Sequence, residues 1–323
     1  MCLYAESART QQMMSVGFAL PHRRKTRVAC CSGKVSELCA ISRGCVGLPA
    51  RGYCLTLADR SSILLFSLSK KRDLNMRQKI GESRSKFRDN HALMSHDSHE
   101  RTNLPNWPGI DLVIVIAPQM GAKFSQFFAH MPAGSIAHPP LEGMERFIFV
   151  LDGTVELSIE GTIHKLQEEG YAFLPNDRNY QITAQIDTRL IVLERPFVQL
   201  EGQPTPELHV ANAKKLTAVP MKGDDKLMLK KLIPENLTYD CEFNIMDFSP
   251  GASLPYVETH FMEHGLLFLN GGGIYRLDDC WYPVEKGDII WMGPYCPQWF
   301  GAIGRSNARY LIYKNWNRDP HAF

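Results

Sequence analysis

One pattern occurs twice in this chain. Gly170-Tyr-Ala-Phe-Leu-Pro175 has the sense of Gly287-Asp-Ile-Ile-Trp-Met-Gly-Pro294. Each follows a strand, a glycine turn and a second strand: Glu145-Arg-Phe-Ile-Phe-Val-Leu-Asp-Gly153-Thr-Val-Glu-Leu-Ser-Ile-Glu-Gly161 in the first copy, Leu266-Leu-Phe-Leu-Asn-Gly-Gly-Gly-Ile-Tyr275 in the second. Self-similarity at a spacing of about 120 residues means that the fold is built from two copies of one unit. Because both copies are strand and turn, the class is all-β.

The remaining segments fit that frame. Leu112-Val-Ile-Val-Ile-Ala is an apolar run of buried-strand length, and Phe124 to Met131 continues it. Pro and Gly cluster between Gln199 and Glu207, the natural linker. The expected organisation is a basic extension over 1–80, a first strand-and-turn unit over 81–203 and a second over 204–323.

Chemistry concentrates in the second copy. In Glu258-Thr-His260-Phe-Met-Glu-His264, a strand would place Glu258, His260 and His264, all even-numbered, on one wall. A carboxylate and two neutral imidazoles suit a divalent transition metal, and Gln298 on a later strand adds an amide oxygen. Two other interpretations compete. His260-Phe-Met-Glu-His264 also spells H-x-x-E-H, the inverted zinc-protease signature, which needs a helix; the upstream Pro255 and the Gly265 directly after His264 oppose one. Histidines satisfied in a core or on a surface are the plainer alternative.

These residues resemble the two motifs of the cupin superfamily: ligands, six residues, Gly, then Gly-Asp and a Pro. Most cupins carry His-x-His, then Glu, then a later His, whereas here the order is Glu258-x-His260, His264 and Gln298. With Gly273-Ile-Tyr275-Arg-Leu, Trp281-Tyr-Pro-Val and Lys314-Asn-Trp-Asn-Arg-Asp nearby, that permuted set resembles the (S)-ureidoglycine aminohydrolase family, two-cupin enzymes of purine ureide breakdown. The likeness runs from about Lys86 to Phe323.

The resemblance implies two tandem cupin barrels, of double-stranded β-helix or jelly-roll type, and one manganese ion per chain in the C-terminal barrel. Its metal ligands would be Glu258, His260, His264 and Gln298. The substrate would be a small ureide, contacted by Glu258, Gln298, Tyr275, Tyr310 and Lys314, with Glu258 and Lys314 catalytic. A homo-oligomer, working in allantoin catabolism, is also implied. Rivals are a dioxygenase or oxalate-degrading cupin, which normally uses three histidines and a carboxylate, and a non-enzymatic storage or sugar-binding bicupin.

The residues add to this picture. Tyr310, Ile312 and Lys314 share strand parity, and a phenol and an ammonium inside a barrel are costly unless they meet an anion or the metal site. The plainer alternative is a lysine that snorkels to water from the strand end. In the first copy, Pro-Pro follows His138, Glu145 stands alone, and Asn179-Tyr180 fall where a last histidine is expected. His138 and Glu145 have opposite parity. The first barrel is therefore expected to be structural and without metal.

Charge separates the extension from the body. The chain carries 36 Lys+Arg and 34 Asp+Glu, and residues 1–80 hold fourteen of the bases but four of the acids, which leaves twenty-two against thirty elsewhere. Such a body offers no nucleic-acid surface. Six of the nine cysteines lie within the first 54 residues, and Cys241, Cys280 and Cys296 do not describe a disulfide framework. The extension fits an organelle transit peptide, a disordered tail or an erroneous upstream translation. Ile63-Leu-Leu-Phe-Ser-Leu68 is too short to cross a bilayer, so no membrane partner is expected. Location stays open between cytoplasm and organelle, with the endoplasmic reticulum implied by resemblance to plant members.

Overall fold

A computed structural model describes residues 83–315; the expectations for 1–80 fall outside them. Among the described residues the regular structure is β, apart from three short 3-10 turns. In the first half a six-stranded sheet runs in the order His209–Asn212, Gly170–Leu174, Met144–Asp152, Thr188–Pro196, Ser125–Met131, Asp111–Ile116. A four-stranded sheet of Ile136–Ala137, Tyr180–Ala184, Thr154–Ile159 and Thr162–Gln167 faces it. Trp107, Phe127, Ile148, Val150, Leu157 and Ile182 fill the space between.

The second half repeats the plan. Its large sheet orders Lys86–Phe87, His91–Met94, Ile289–Met292, His264–Asn270, Ala308–Lys314, Glu242–Phe248, Asp224–Lys231, Val219–Met221. Its small sheet is Cys280–Glu285, Gly272–Leu277, Gln298–Ala302. Phe248, Leu266, Phe268, Tyr275, Phe300 and Tyr310 fill this barrel.

The two large sheets pack back to back, and this explains the sequence. A strand with a core on each face has no polar side, so it reads as a continuous apolar run rather than an alternating one. Ile148 and Val150 enter the first barrel, while Phe147 and Phe149 point into the seam. Likewise Tyr310 and Ile312 enter the second barrel while Leu311 and Tyr313 join the seam. Phe147 stacks on Phe243 across it at 3.7 Å between ring centroids. Truncating such a ring to alanine costs about 3–5 kcal/mol. The small sheets have one wet face and alternate: Thr154–Ile159 is buried at Val155, Leu157 and Ile159.

Each half also lends a strand to the other. His91–Met94 pairs with Ile289–Met292, and His209–Asn212 pairs with Gly170–Leu174. The first exchange is held by Arg84, which donates to both oxygens of buried Asp288 at 2.8 Å, and by His91 Nε2 at 2.9 Å from the Tyr282 hydroxyl. The Asp152-Gly153 turn is as anticipated. Gly153 has a φ of 91°, and a Cβ there would collide with Thr188 Oγ1, so glycine is required.

Candidate active site and metal centre

The stretch ahead of His264 is not the continuous strand expected from its parity. Strand geometry begins at His264; from Pro255 to Glu263 the chain bends, touching Gln298–Ala302 at single points. Ser253 bridges Gly301, and Glu258 exchanges both backbone hydrogen bonds with Gln298 at 2.8 Å. Proline at 255 cannot donate to a ladder, which keeps this segment from becoming a regular strand. Strand alternation therefore does not apply to these residues. The Glu258–Gln298 bridge fixes the segment instead, with the Tyr295 N–H donating to the His260 carbonyl at 2.8 Å. A helix over 260–264 is equally absent, which removes the H-x-x-E-H alternative.

The result is a compact polar group at one end of the second barrel. The His260 and His264 rings lie 4.7 Å apart between centroids. Gln298 Nε2 is 2.9 Å from His260 Nε2, and Gln298 Oε1 accepts from the Tyr275 hydroxyl at 2.9 Å. The Glu258 carboxylate is turned toward the mouth, where Lys222 Nζ donates to Oε1 at 3.0 Å and to the Tyr256 hydroxyl at 2.6 Å. Consequently no three His, Cys, Asp or Glu side chains among the described residues converge in ligating positions.

The donor set nevertheless fits a metal. His264 is buried, and beyond a weak contact with the Met262 backbone its ring nitrogens make no well-formed hydrogen bond; the buried His260 Nδ1 likewise has no well-formed partner beyond its own backbone. Buried polar atoms without partners are rare, and two adjacent imidazoles in that condition suit an added cation. Burial, then the neighbouring His260 and Lys314, holds His264 well below its ordinary value. Burial and Lys314 lower His260 too, against a smaller opposite pull from Glu258. Both are therefore neutral near pH 7, the form that ligates.

Lys314 closes the group. It stands opposite His264 on one neighbouring strand and opposite Glu242 on the other, with Nζ 3.7 Å from Glu242 Oε2. It is neither snorkelling freely nor sealed in. Tyr310, fully buried, donates only to Met246 Sδ at 3.3 Å, a weak acceptor that a substrate oxygen would outcompete. Burial raises both the Tyr275 and Tyr310 hydroxyls, so both stay protonated donors.

Ladder register identifies the corresponding positions in the first barrel. Arg146, opposite Glu194 and Leu174, stands where His264 stands opposite Lys314 and Met292. Tyr180, the first residue of its strand and opposite Ile159, matches Gln298 opposite Leu277. The buried Arg146 guanidinium pairs with Glu194, Nη2 to Oε1 at 2.6 Å, and lies over the Trp107 and Tyr180 rings at 4.8 and 5.7 Å. An internal cation, supplied by a side chain, occupies the place of a ligand. Glu145 instead meets Arg195 at 3.1 Å in the seam, and the His138 carbonyl accepts from Arg146.

Sequence reasoning overlooked Lys222, Tyr256, Glu242 and Met246, each of which reaches the site across a strand pairing or a turn. Arg146 was legible as a charge inside an apolar strand and could have been flagged. A cleft of about 460 Å³ lies elsewhere, lined by His99, Phe128, Phe149, Leu267 and Arg309, and shares none of these residues. That cleft is also lined by His96, His130, Glu168, Glu169, Arg189 and Lys286, and Arg309 is paired with Glu169 inside it.

Two tandem barrels, with a buried His264 beside a half-buried His260 in the mouth of one, define a protein of the bicupin class. Similarity to known proteins narrows this. No family model matches the chain. It is 42% identical over 241 residues to a probable (S)-ureidoglycine aminohydrolase of Oryza sativa subsp. japonica, covering 74% of this chain and 77% of that one. It is 39% identical to (S)-ureidoglycine aminohydrolase of Arabidopsis thaliana, over 74% and 80% of the two chains, and 35% to that of Escherichia coli K12, over 71% and 90%. The crystal structure of E. coli YlbA superposes with a TM-score of 0.66 at 31% identity, covering 75% of this chain and 98% of that one. The chain belongs to the (S)-ureidoglycine aminohydrolase family. Oxalate decarboxylase of Bacillus subtilis, described with Mn(II) centres, matches with a TM-score of 0.55 at 9% identity over 70% of this chain and 78% of that one, a likeness of fold alone.

Proposed function

We propose that this chain hydrolyses (S)-ureidoglycine, water replacing the amino group on the central carbon to give (S)-ureidoglycolate and ammonia. The observation that carries the proposal is the adjacent, neutral His264 and His260, the first buried and the second half-buried, with Lys314 and Gln298 around them, in a chain 35–42% identical to aminohydrolases of this name.

Glu258, His260, His264 and Gln298 would hold one divalent cation per chain, manganese in our reading; the Gln298 amide, which here turns Nε2 to His260 and gives Oε1 to Tyr275, would rotate to offer its oxygen as the second oxygen donor. When bound, such an ion supplies positive charge that anchors the substrate and orients water. Other steps fall to the chain. Lys314 faces the carboxylate of the substrate, with Glu242 holding the ammonium in place. Tyr310 exchanges its thioether partner for a substrate carbonyl, and Tyr275 fixes the Gln298 amide. Glu258, held by Lys222 at the mouth, would carry the proton to the departing amine. The buried barrel wall excludes bulk water and strengthens each contact.

The first barrel, its ligand position filled by Arg146, is assigned a structural role. A homo-oligomer working in allantoin breakdown completes the proposal. The test is ammonia release from freshly generated (S)-ureidoglycine with chiral analysis of the product. One enantiomer of ureidoglycolate is expected; a racemic product at the uncatalysed rate, with metal bound, would reject it.

A further inference from the structure

Glu263 is the acidic residue of His260-Phe-Met-Glu263-His264, and the proposed chemistry leaves it unused. It is buried, and its carboxylate meets the Lys123 backbone of the first half and the Trp291 indole of the second. The Lys123 backbone N–H, at the head of the first-barrel strand Ser125–Met131, reaches both of its oxygens, at 3.0 and 3.2 Å. Trp291 Nε1 donates to Oε1 at 2.8 Å. The Glu263 peptide is gripped as well: its N–H donates to Asn315 Oδ1 at 2.5 Å and its carbonyl accepts from the Asn315 N–H at 3.2 Å.

The residue on the other side of His264 is also held from the first half. Gly265 lies so close to the strand Ser125–Met131 that a Cβ there would collide with Gln126 Oε1 and sit 2.7 Å from the Phe124 ring. His264 thus enters the site between two residues whose places are set by the neighbouring barrel. A buried carboxylate would be costly without these donors, so the arrangement is specific rather than incidental.

We propose that Glu263 is a positioning residue, clamping the backbone of His264 against the first barrel so that the imidazole is presented to the metal. The inference rests on the reading of His264 as a metal ligand. It also explains what the first barrel contributes, which is the backing on which the ligand strand is fixed. Residues behind metal ligands commonly matter about ten- to a hundredfold in affinity.

The test uses the full chain, manganese alone as the first probe, and the variant Glu263→Gln. The amide keeps the shape but presents an NH2 group where both faces of the site offer donors. Val155→Ala, in the interior of the first barrel, is the control for lost stability. We expect Glu263→Gln to fold, by near-ultraviolet circular dichroism, and to bind Mn2+ about tenfold or more weakly than the parent, with Val155→Ala unchanged in affinity. At saturating metal, KM for ureidoglycine should stay the same. A Glu263→Gln chain that melts lower, like the control, but keeps its Mn2+ affinity within about twofold would overturn the proposal. Should that variant not fold, Gly265→Ala presses on the same clamp from the other side, with the same two outcomes. A parent chain that binds Mn2+ yet leaves ureidoglycine intact would reject the proposed activity, while a weakened Glu263→Gln would still support the clamp.

Discussion

Lys314 and His264 are register partners on adjacent strands, so an ammonium and an unprotonated imidazole enter the same end of the barrel side by side. Each shapes the other: the Lys314 charge helps keep His264 neutral, and Glu242 on the next strand balances the lysine. In the proposed reaction His264 would serve the metal and Lys314 the substrate, and the two roles can be taken apart residue by residue.

Lys314→Met should leave metal content as it is and reduce turnover. A charge-assisted contact to a carboxylate is worth about 1.5–3 kcal/mol, or roughly ten- to a hundredfold in kcat/KM. Metal analysis of the purified variant beside steady-state ammonia release checks both halves; a variant that loses its metal would make Lys314 part of the metal site instead.

Alanine at His260 or His264 should empty the site, and the parent should hold about one divalent ion per chain. Elemental analysis after dialysis reads this directly. A second equivalent that persists in both variants would locate metal in the first barrel, against the ion pair found there.

Tyr310→Phe should lower kcat/KM by about tenfold at a stability cost below about 1 kcal/mol, because the hydroxyl gives up only a thioether partner. Urea midpoints and kinetics on the same preparation test the split. An equal fall in both would make the hydroxyl a packing element.

Arg146→Met should behave in the opposite way. It leaves Glu194 in the core without its partner, and breaking a buried pair on one side costs about 3–5 kcal/mol. Metal content of whatever remains folded should match the parent, as read by denaturant titration and metal analysis.

The histidines give the metal-depleted chain a pH dependence of definite sign. His264 titrates near 6.5 when unfolded and well below that when folded, so the unfolded chain takes up the proton first. Stability present above about pH 6.5 should decline as pH falls through the folded value. His91, His99, His130 and His209 are also lowered by burial and act in the same direction. His264→Asn should therefore make the decline of Tm with falling pH shallower without abolishing it; an unchanged slope would mean that this imidazole is not held neutral.

Much was legible in the order of residues. The doubled Gly-to-Pro pattern showed two like units, because strand and turn propensities are local and repeat where the unit repeats. The run from Leu112 announced a buried strand, and Leu112 enters the first barrel while Val113 and Val115 join the seam. The ligand types were visible too, since carboxylate, imidazole and amide chemistry belongs to the side chain. Their arrangement was not. The strand parity read for Glu258, His260 and His264 does not hold, because Pro255 and the bends after it break the strand, and a two-bond bridge ties Glu258 to Gln298 instead.

What the sequence by itself determined is the class of unit, its duplication and the inventory of donors. What only the tertiary structure decided is which residues stand beside them. The exchange of His91–Met94 and His209–Asn212 between halves, the Arg146 ion pair in the place of a ligand, and the grip of Glu263 on Lys123 and Trp291 all join residues far apart in the chain. No local propensity encodes such pairings; they exist because two sheets, each apolar on its back, lower their free energy by burying those faces against each other.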